Sequence, residues 1–240
     1  MIHTPTLAIQ YVNYHTVDYL RSSIADVIAD LGGSAIDYKI YILDNASGDD
    51  LREFEQDDSV VSYYKQNIGF GAGHNRLSDM HNSDYTLLLN PDTRFVQPQT
   101  ITRMIDSLTV STNAVAVGPQ LVGRDKQQQA WDHGEFDLSN GPDSPGSYWE
   151  PRSAKGDVAW TSGAASLFKT AALKNVGGFD ETFFLYKEEE DLCLRLRQQG
   201  YNIVYDPTIS IMHIGSVVAN KELPYFQQSI DCYNKKHNLL

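Results

Sequence analysis

Four consecutive acids, residues 188–191, begin a segment whose apolar residues have helical spacing. At about 100° of rotation per residue, Glu189 falls near the centre of the apolar stripe formed by Leu192, Cys193 and Leu196. Burial would raise the pKa of the Glu189 carboxyl group, whereas the positive end of the helix would lower it. An inward carboxylate beside a cleft can take a proton, so Glu189 is the predicted general base.

The other acids of this run allow two interpretations. Glu188 and Glu190 are predicted to point to the two flanks of the stripe, and Asp191 stands four residues before Arg195, the spacing of a helical ion pair. Acids are also stabilised at any helix start, so the run is equally typical of a solvated first turn. Glu188 and Asp191 join Glu189 as candidate catalytic residues.

A possible metal site is indicated by two residues that follow apolar strands. Asp92 follows the strand 85–89, and a single carboxylate there suits Mg²⁺ or Mn²⁺, which often binds one or two carboxylates plus substrate phosphates. A proline turn with a solvated aspartate is an equally good interpretation. His213 follows the strand 209–212 and becomes a metal ligand only where it converges with Asp92. The predicted cofactor is Mn²⁺ or Mg²⁺ on Asp92 and His213.

Two further motifs also follow strands. Asp44-Asn45-Ala46-Ser47 offers a carboxylate to a nucleotide base or ribose, although the same residues favour helix N-caps. The segment 67–75, which runs from Asn67 through Gly69, Gly71 and Gly73 to Asn75, lets the backbone approach a ligand closely. Its spacing is neither a dinucleotide fingerprint nor a P-loop, and a turn before a helix explains it equally well.

The elements that position these residues alternate along the first half of the chain. Strands are predicted at 7–12, 38–43, 60–64 and 85–89, with a helix at 17–31 and helical patterns between the later strands. This order calls for parallel strands joined by right-handed crossovers, with ligands beyond the carboxyl ends of the strands. The predicted fold class is α/β, a mixed and mainly parallel sheet flanked by helices, and Asn13 and Asn90 lie at the same edge as Asp44 and Asp92.

The second half begins with a polar excursion at 123–157, predicted to be a long surface loop over the active face. A strand at 158–168, helices at 169–176 and 188–199, and strands at 202–205 and 209–212 follow. We expect one domain, with a nucleotide-binding half at 1–122, an acceptor and catalytic half at 158–216, and a tail at 217–240.

Composition excludes several classes of function. The 240 residues include 31 acidic and 19 basic side chains, which give a net charge of −12. This charge argues against nucleic-acid binding and against binding of anionic lipid through a cluster of basic residues. Two cysteines are too few for a disulfide framework. The first residues show no basic-then-apolar leader, and no apolar run of about 18 residues occurs, so a soluble cytoplasmic protein is expected.

The order of the motifs resembles glycosyltransferase family 2 enzymes of GT-A fold, especially the rhamnosyltransferase-like branch. The resemblance covers roughly residues 7–216, and it is carried by Asp44-Asn45-Ala46-Ser47, Asn67-Ile68-Gly69-Phe70, Leu89-Asn90-Pro91-Asp92-Thr93, Ser162-Gly163-Ala164, Gly177-Gly178-Phe179-Asp180-Glu181, Asp191-Leu192, Arg195, and His213 with Gly215-Ser216. It implies an inverting transferase that moves a sugar from a nucleotide-diphosphate sugar, with dTDP-rhamnose as the suggested donor. The acceptor would be a hydroxyl of a glycan or lipid-linked molecule in bacterial surface polysaccharide synthesis.

The resemblance also implies roles for residues. Asp92 would bind the metal, His213 the metal or the diphosphate, and Glu188-Glu189 would hold the base. The nucleotide sugar is expected to contact Asn13, Asp44, Asn67, Gly69, Asn75, Asn90 and Asp92. The flat faces of Trp131 and Trp160 would suit an acceptor sugar. The segment 233–238 resembles a basic, aromatic tail, which implies peripheral association with the inner face of the membrane.

Two departures from the family pattern keep other functions open. The D-x-D motif reads Asn90-Pro91-Asp92, with one carboxylate, and Glu188-Glu189 stands where Glu-Asp is usual. A sugar-binding or scaffold protein on a degenerate transferase fold is therefore one alternative. A nucleotidyltransferase is another alternative. It would need a basic, Gly-rich triphosphate loop at the end of the first strand, but residues 10–15 contain no Gly, Lys or Arg.

Overall fold

The computed structural model describes residues 4–55, 58–137, 143–215 and 224–239. The strands are β1 (Thr6–Asn13), β2 (Asp37–Asp44), β3 (Ser59–Tyr63), β4 (Tyr85–Leu89), β5 (Thr93–Phe95), β6 (Ala114–Val122), β7 (His133–Phe136), β8 (Ser147–Tyr148), β9 (Gly156–Val158), β10 (Trp160–Thr161), β11 (Ala165–Lys169) and β12 (Asn202–His213). The helices are α1 (Val17–Leu31), α2 (Phe70–Ser78), α3 (Thr100–Thr109), α4 (Thr170–Asn175), α5 (Glu188–Gln198) and α6 (Pro224–Lys236), with a 3₁₀ turn at Arg52–Phe54.

Within the described residues, a nine-stranded sheet has the order β3-β2-β1-β4-β11-β6-β12-β5, with β9 paired to β12. Strands β1 to β4, β6 and β12 run in one direction, whereas β5, β9 and β11 run against them. The predicted mixed, mainly parallel α/β sheet is therefore confirmed. The carboxyl ends of β1, β2, β4, β6 and β12 meet at one edge, and β11 begins there.

Helices cover both faces of the sheet because side chains alternate along each strand. Leu7 and Ile9 of β1 pack with Leu20 and Ile24 of α1 and with α3 on one face. Ala8 packs with Leu77 of α2 on the other face, where β4, β6 and β11 also meet α4 and α5. The helix predicted at 17–31 and the strand predicted at 85–89 have the predicted bounds.

The second half differs from the prediction in three ways. The strand expected at 158–168 is broken into β9, β10 and β11, because the chain turns at Ser162 and the Ala165 amide donates to its carbonyl at 3.3 Å. The strands expected at 202–205 and 209–212 form the single strand β12, with an irregularity between Asp206 and Ser210. The 3₁₀ turn at Arg52–Phe54 replaces the helix expected between β2 and β3.

The excursion at 123–157 contains secondary structure rather than loop alone, since β7 and β8 form a small antiparallel sheet with β10. Asp132 anchors it to the main sheet, because its buried carboxylate accepts hydrogen bonds from Tyr205 Oη at 2.8 Å and Gln128 Nε2 at 3.1 Å. Residues 138–142 of the excursion, and Ser216 of the His213 motif, lie outside the described residues. No helix in the described ranges is long and apolar enough to cross a membrane.

Candidate active site

A cavity of about 320 Å³ opens at the edge where the parallel strands end. The strand ends contribute Asn45, Asn90, Asp92 and His213 to its lining, and helix α5 contributes Glu188 and Glu189. The 67–70 segment, the turn at 162–164 and the segment 184–186 complete the wall. The structure therefore brings Asp92 and Glu189, almost a hundred residues apart in sequence, to one cavity.

Asp92 and His213 converge, which was the condition for a joint metal site. Asp92 Oδ1 lies 3.5 Å from His213 Nε2, and Asp92 Oδ2 accepts a hydrogen bond from the Gly215 amide at 3.0 Å. Both residues lie at the edge of the sheet because β12 ends at His213, which pairs with Thr93 of β5. One carboxylate oxygen and one imidazole nitrogen thus lie side by side at the cavity.

This pair fits a divalent cation that takes its remaining ligands from elsewhere. Across the residues that the structure describes, no cluster of three or more His, Cys, Asp or Glu side chains could hold a metal alone. Mg²⁺ and Mn²⁺ accept oxygen ligands from substrate phosphates and water in addition to one or two protein groups. Asp92 and His213 therefore suit a cation bound together with a phosphorylated ligand.

Glu188 and Glu189 both reach the cavity at the start of α5. Glu188 is buried with 3% of its surface exposed, and Glu189 is partly buried. Their Oε2 atoms are inaccessible to solvent and have no hydrogen-bond partner within the protein. The expectation that Glu188 would lie on a flank, leaving Glu189 as the inward acid, is wrong. Glu188 is buried at the cavity beside the wall segment 184–186, so the covered surface of α5 is wider than a single apolar stripe.

Burial and the charges of neighbouring acids raise the pKa values of Glu188 and Glu189. Burial and then the charge of Glu189 hold the pKa of Glu188 well above its ordinary range. Burial and then the charge of Glu190 raise the pKa of Glu189 to about 7. A carboxyl group with a pKa near neutrality, in a cavity, has the properties of a general base.

The backbone before these acids is strained. Tyr186 and Lys187 both have left-handed conformations, with φ of 73° and 70°. Such conformations are unfavourable for residues with side chains and persist only where the surroundings enforce them. The two residues turn the chain sharply from the cavity wall at 184–186 into α5.

Helix α6, which the sequence did not predict, supports this wall. Ser229 Oγ donates to the Leu185 carbonyl at 2.7 Å, and the ring of Tyr225 packs against Phe184 with centroids 4.6 Å apart. The ring of Phe226 meets Tyr186 edge-on at 5.2 Å. The wall of the cavity is therefore held from behind by the last helix.

Asp191 is fully buried and lies outside the cavity lining, where partly exposed basic side chains surround its carboxylate. The predicted pair with Arg195 is present at 2.8 Å, and Lys236 and His237 approach the other carboxylate oxygen at 2.6 and 3.0 Å. The structure does not bring Asp191 to Glu189's cavity, so its candidate catalytic role is replaced by a structural one. Its carboxylate fastens the C-terminal end of the described chain to α5.

The donor-binding candidates fall into two groups. Asn67, Gly69 and Asn90 line the cavity, whereas Asn13 and Asp44 lie buried beside it. Asn13 Nδ2 donates to Asp44 Oδ1 at 3.3 Å, and Ser47 Oγ donates to the same oxygen. Asp44 thus closes a turn of its own chain, and its nucleotide contact stays a prediction.

Asn45, part of the predicted Asp44-Asn45-Ala46-Ser47 motif but not one of its candidate ligands, lines the cavity. Its Nδ2 donates to Asn67 Oδ1 at 2.8 Å, and its Oδ1 accepts from the Ile68 amide at 2.8 Å. These bonds hold the 67–69 segment against the strand edge. Gly69 has φ of 89°, and a Cβ there would collide with the Phe184 carbonyl.

Asn75 does not reach the cavity. Its amide accepts from the Phe179 amide and donates to the Phe179 carbonyl, each at 2.9 Å. It also donates to Glu181 at 3.1 Å. The expectation that Asn75 contacts a donor is therefore corrected, because both ends of its side chain are used in holding the 178–181 turn.

The two tryptophans proposed for the acceptor lie outside the cavity lining. Trp160 is buried in the core, where its Nε1 donates to Ser147 Oγ at 3.0 Å, so it offers no face to a sugar. Trp131 is 51% exposed and stacks parallel to Trp160 with centroids 6.4 Å apart. An acceptor contact by Trp160 is corrected on this ground, and one by Trp131 stays a prediction.

Other lining residues had little signal in the sequence. Tyr14 and Thr16 follow β1, and Phe184, Leu185 and Tyr186 precede the acidic run. An apolar stretch directly before four acids is the one signal that could have indicated a cavity wall. The covering helix α6 gave no such signal.

Solved structures of similar fold are glycosyltransferases. The mannosyltransferase PcManGT from Pyrobaculum calidifontis, in complex with GDP-Man and Mn²⁺, matches with a TM-score of 0.65 at 13% identity, covering 99% of this chain and 63% of its own. TarS from Staphylococcus aureus matches with a TM-score of 0.66 at 13% identity, over 96% of this chain and 39% of its own. The open sheet with its site at the strand ends is thus a glycosyltransferase fold of the GT-A class.

The family follows from the sequence match. The model of the glycosyltransferase-like family 2 matches residues 5–231, so the chain belongs to that family. N-acetylglucosaminyl-diphospho-decaprenol L-rhamnosyltransferase of Mycobacterium tuberculosis is 29% identical over 174 residues, which are 61% of this chain and 56% of the relative. The rhamnosyltransferase WbbL of Escherichia coli is 26% identical over 225 residues, 84% of this chain and 81% of its own. The match to the mycobacterial relative spans little more than half of that protein's length.

Proposed function

We propose that this protein is an inverting glycosyltransferase that moves a sugar from a nucleotide-diphosphate sugar to an acceptor hydroxyl. The observation that carries the proposal is the shared cavity of Asp92 and Glu189, with Glu189 at a pKa of about 7. Family membership and the fold support the reaction class. The names of the relatives support a rhamnosyl donor and a lipid-linked acceptor, and the proposal extends this to dTDP-rhamnose and to a glycan or lipid-linked acceptor in surface polysaccharide synthesis.

The reaction proposed is a single displacement. Glu189 takes the proton of the acceptor hydroxyl as that oxygen attacks the anomeric carbon, and the bond from this carbon to the diphosphate oxygen breaks with its electron pair on the diphosphate. A divalent cation bound by Asp92 and His213 would supply Lewis-acid stabilisation of the leaving diphosphate. Attack opposite the leaving group inverts the anomeric carbon, and the transition state has oxocarbenium character.

The electrostatics of the cavity agree with these roles. Asp92 and His213 lie at the strand ends of the sheet, and the similarly folded PcManGT is solved in complex with GDP-Man and Mn²⁺. The paired acids come from a different element, helix α5, so we infer separate neighbours for the leaving group and the incoming alcohol. The charge of Glu190, the next residue on α5, adds to burial in keeping the proton affinity of Glu189 high.

The first experiment screens nucleotide sugars by thermal shift with and without Mn²⁺, and then measures transfer or donor hydrolysis. With the best donor, Glu189→Gln should lower turnover by ~10²- to 10⁴-fold while donor affinity is kept, because the base acts in the chemical step. Glu150→Gln, the same substitution at an exposed position outside the cavity lining, is the control. Near-normal turnover by Glu189→Gln would show that another group is the base.

A second variant tests the cation. Asp92→Asn should weaken Mn²⁺ and donor binding together, because an amide is a poor ligand for a hard cation whereas it can still accept the Gly215 amide. Asp18→Asn, at a side chain that is 88% exposed on α1, changes the net charge equally and is the control. Calorimetry with Mn²⁺ present measures both affinities, and an unchanged donor affinity in Asp92→Asn removes Asp92 from this role. A protein that binds a nucleoside diphosphate but turns over no donor would favour the degenerate binding protein.

A further inference from the structure

One side chain of the 123–157 excursion holds His213 at two points. Gln129 Nε2 donates to the His213 carbonyl at 2.6 Å, and Gln129 Oε1 lies 3.0 Å from His213 Nδ1. The Gln129 backbone amide donates to the Leu121 carbonyl at 2.8 Å, so the side chain starts from a fixed position beside β6. Gln129 thus joins the excursion to the end of β12.

The chemistry of these contacts fixes the position of a proton. A backbone carbonyl only accepts, so the amide nitrogen of Gln129 must face it and the amide oxygen must face Nδ1. An amide oxygen only accepts, so Nδ1 must carry the hydrogen. A neutral imidazole with a hydrogen on Nδ1 has a lone pair on Nε2.

The surroundings of Nε2 contain two opposing influences. Asn90 Nδ2 lies 3.5 Å from it, a donor that agrees with a lone pair there. Asp92 Oδ1, also at 3.5 Å, is an acceptor that would favour a hydrogen on Nε2. The two Gln129 contacts are the shorter ones, and they decide between the tautomers.

We propose that Gln129 is a positioning residue that holds His213 in the Nδ1–H tautomer, with the Nε2 lone pair directed to the cation site beside Asp92. The part of this inference that concerns the cation rests on the proposed function. The part that concerns the position of the proton on His213 does not. Without Gln129, His213 adopts the Nε2–H tautomer and its Nε2 donates a hydrogen bond to Asp92. The two proposed metal ligands then bind each other instead of a cation. Partners that orient a ligating histidine are commonly worth 10- to 100-fold in metal affinity.

The chain offers a matched control next to this residue. Gln127 is exposed and Gln128 donates to Asp132 and Tyr205, so that Gln129 is the member of the Gln127-Gln128-Gln129 run that contacts His213. Gln129→Met keeps the length of the side chain and removes both hydrogen bonds. Gln127→Met makes the same chemical change on the surface.

The test has two readouts. Long-range ¹H–¹⁵N NMR on the metal-free protein, above the ordinary pKa of imidazole, reports the His213 tautomer, and His213→Ala assigns its signals. The expected result is Nδ1–H in the wild type and in Gln127→Met, and Nε2–H in Gln129→Met. Titration with Mn²⁺ alone, followed by electron paramagnetic resonance, should show a roughly 10-fold or greater loss of affinity in Gln129→Met and none in Gln127→Met.

Adding Gln129→Met to His213→Ala should cost no further Mn²⁺ affinity, because Gln129 acts through His213. A wild type in the Nε2–H tautomer, an unchanged tautomer in Gln129→Met, or a full further loss in the His213→Ala background overturns the proposal. If Mn²⁺ binds the wild type neither alone nor with a nucleoside diphosphate present, the cation of the proposed function is wrong, and the tautomer measurement still decides the role of Gln129.

Discussion

Replacing Glu189 with glutamine should remove activity and yet make the protein more stable at alkaline pH. The carboxyl group lies in a cavity where its Oε2 atom has no protein partner, and Glu190 and Glu188 are close to it. Ionised Glu189 is therefore unfavourable in the folded state, whereas it is fully hydrated in the unfolded chain. A neutral amide of the same shape avoids this cost.

The size of the effect follows from the pKa. Burial and the charge of Glu190 raise the pKa of Glu189 from 4.5 to about 7, and one pKa unit corresponds to about 1.4 kcal/mol. Below about pH 4.5 the group is protonated in both states and costs nothing. Between 4.5 and 7 the native state holds more protons than the unfolded state, so stability falls as pH rises. Above about pH 7 the whole loss, up to roughly 3 kcal/mol, is present.

Urea unfolding of wild type and Glu189→Gln at about pH 8 and about pH 5 measures this difference. The variant should gain up to ~3 kcal/mol at the higher pH and much less at the lower one. Glu150→Gln, the same substitution at an exposed position, gives the background. A Glu189→Gln protein that is less stable than wild type at both pH values, or equally stabilised at both, would refute the account of an ionised acid held in a poorly solvating site.

Two further expectations concern the pH profile and the cavity wall. Turnover at saturating donor should rise with pH through about 7, because Glu189 must be ionised to accept a proton. Steady-state rates between about pH 5 and 9 measure this profile. A flat profile would show that Glu189 is not the base. Gly69→Ala should destabilise the protein by more than about 1 kcal/mol in urea unfolding, since a Cβ there meets the Phe184 carbonyl and φ is positive. Gly48→Ala is the control, because Gly48 has φ of 77° and open space around it, so that this substitution introduces backbone strain without a steric clash. An equal loss of stability in the two variants would show that the contact with Phe184 contributes nothing.

The first half of the fold was predictable because its signals are local. Apolar runs and helical spacing gave α1 and β4 with the observed bounds, and the alternation of elements gave the parallel strands. The strand-end rule then placed Asn90 and Asp92 at the cavity. These features depend on periodicity and connection rules, which a single sequence contains.

The rest depended on contacts between distant segments. Glu188 was expected on a flank because a helical stripe assumes one covered side, whereas the wall segment 184–186 lies beside it at the cavity and Glu188 is buried. Asn75 was expected at a ligand, but Phe179, more than a hundred residues away, takes its amide. Trp160 looked available for a sugar until the fold buried it beside Ser147. No spacing in the sequence reports which partner a polar side chain will find.

The left-handed pair Tyr186-Lys187 sets a limit for protein engineering. Substituting asparagine or glycine at such positions commonly raises thermal resistance, because those residues adopt positive φ at little cost. At this turn such a change at Tyr186 would also remove an aromatic side chain that lines the cavity. Libraries selected for heat tolerance alone should therefore accumulate changes here that preserve the fold and erode catalysis.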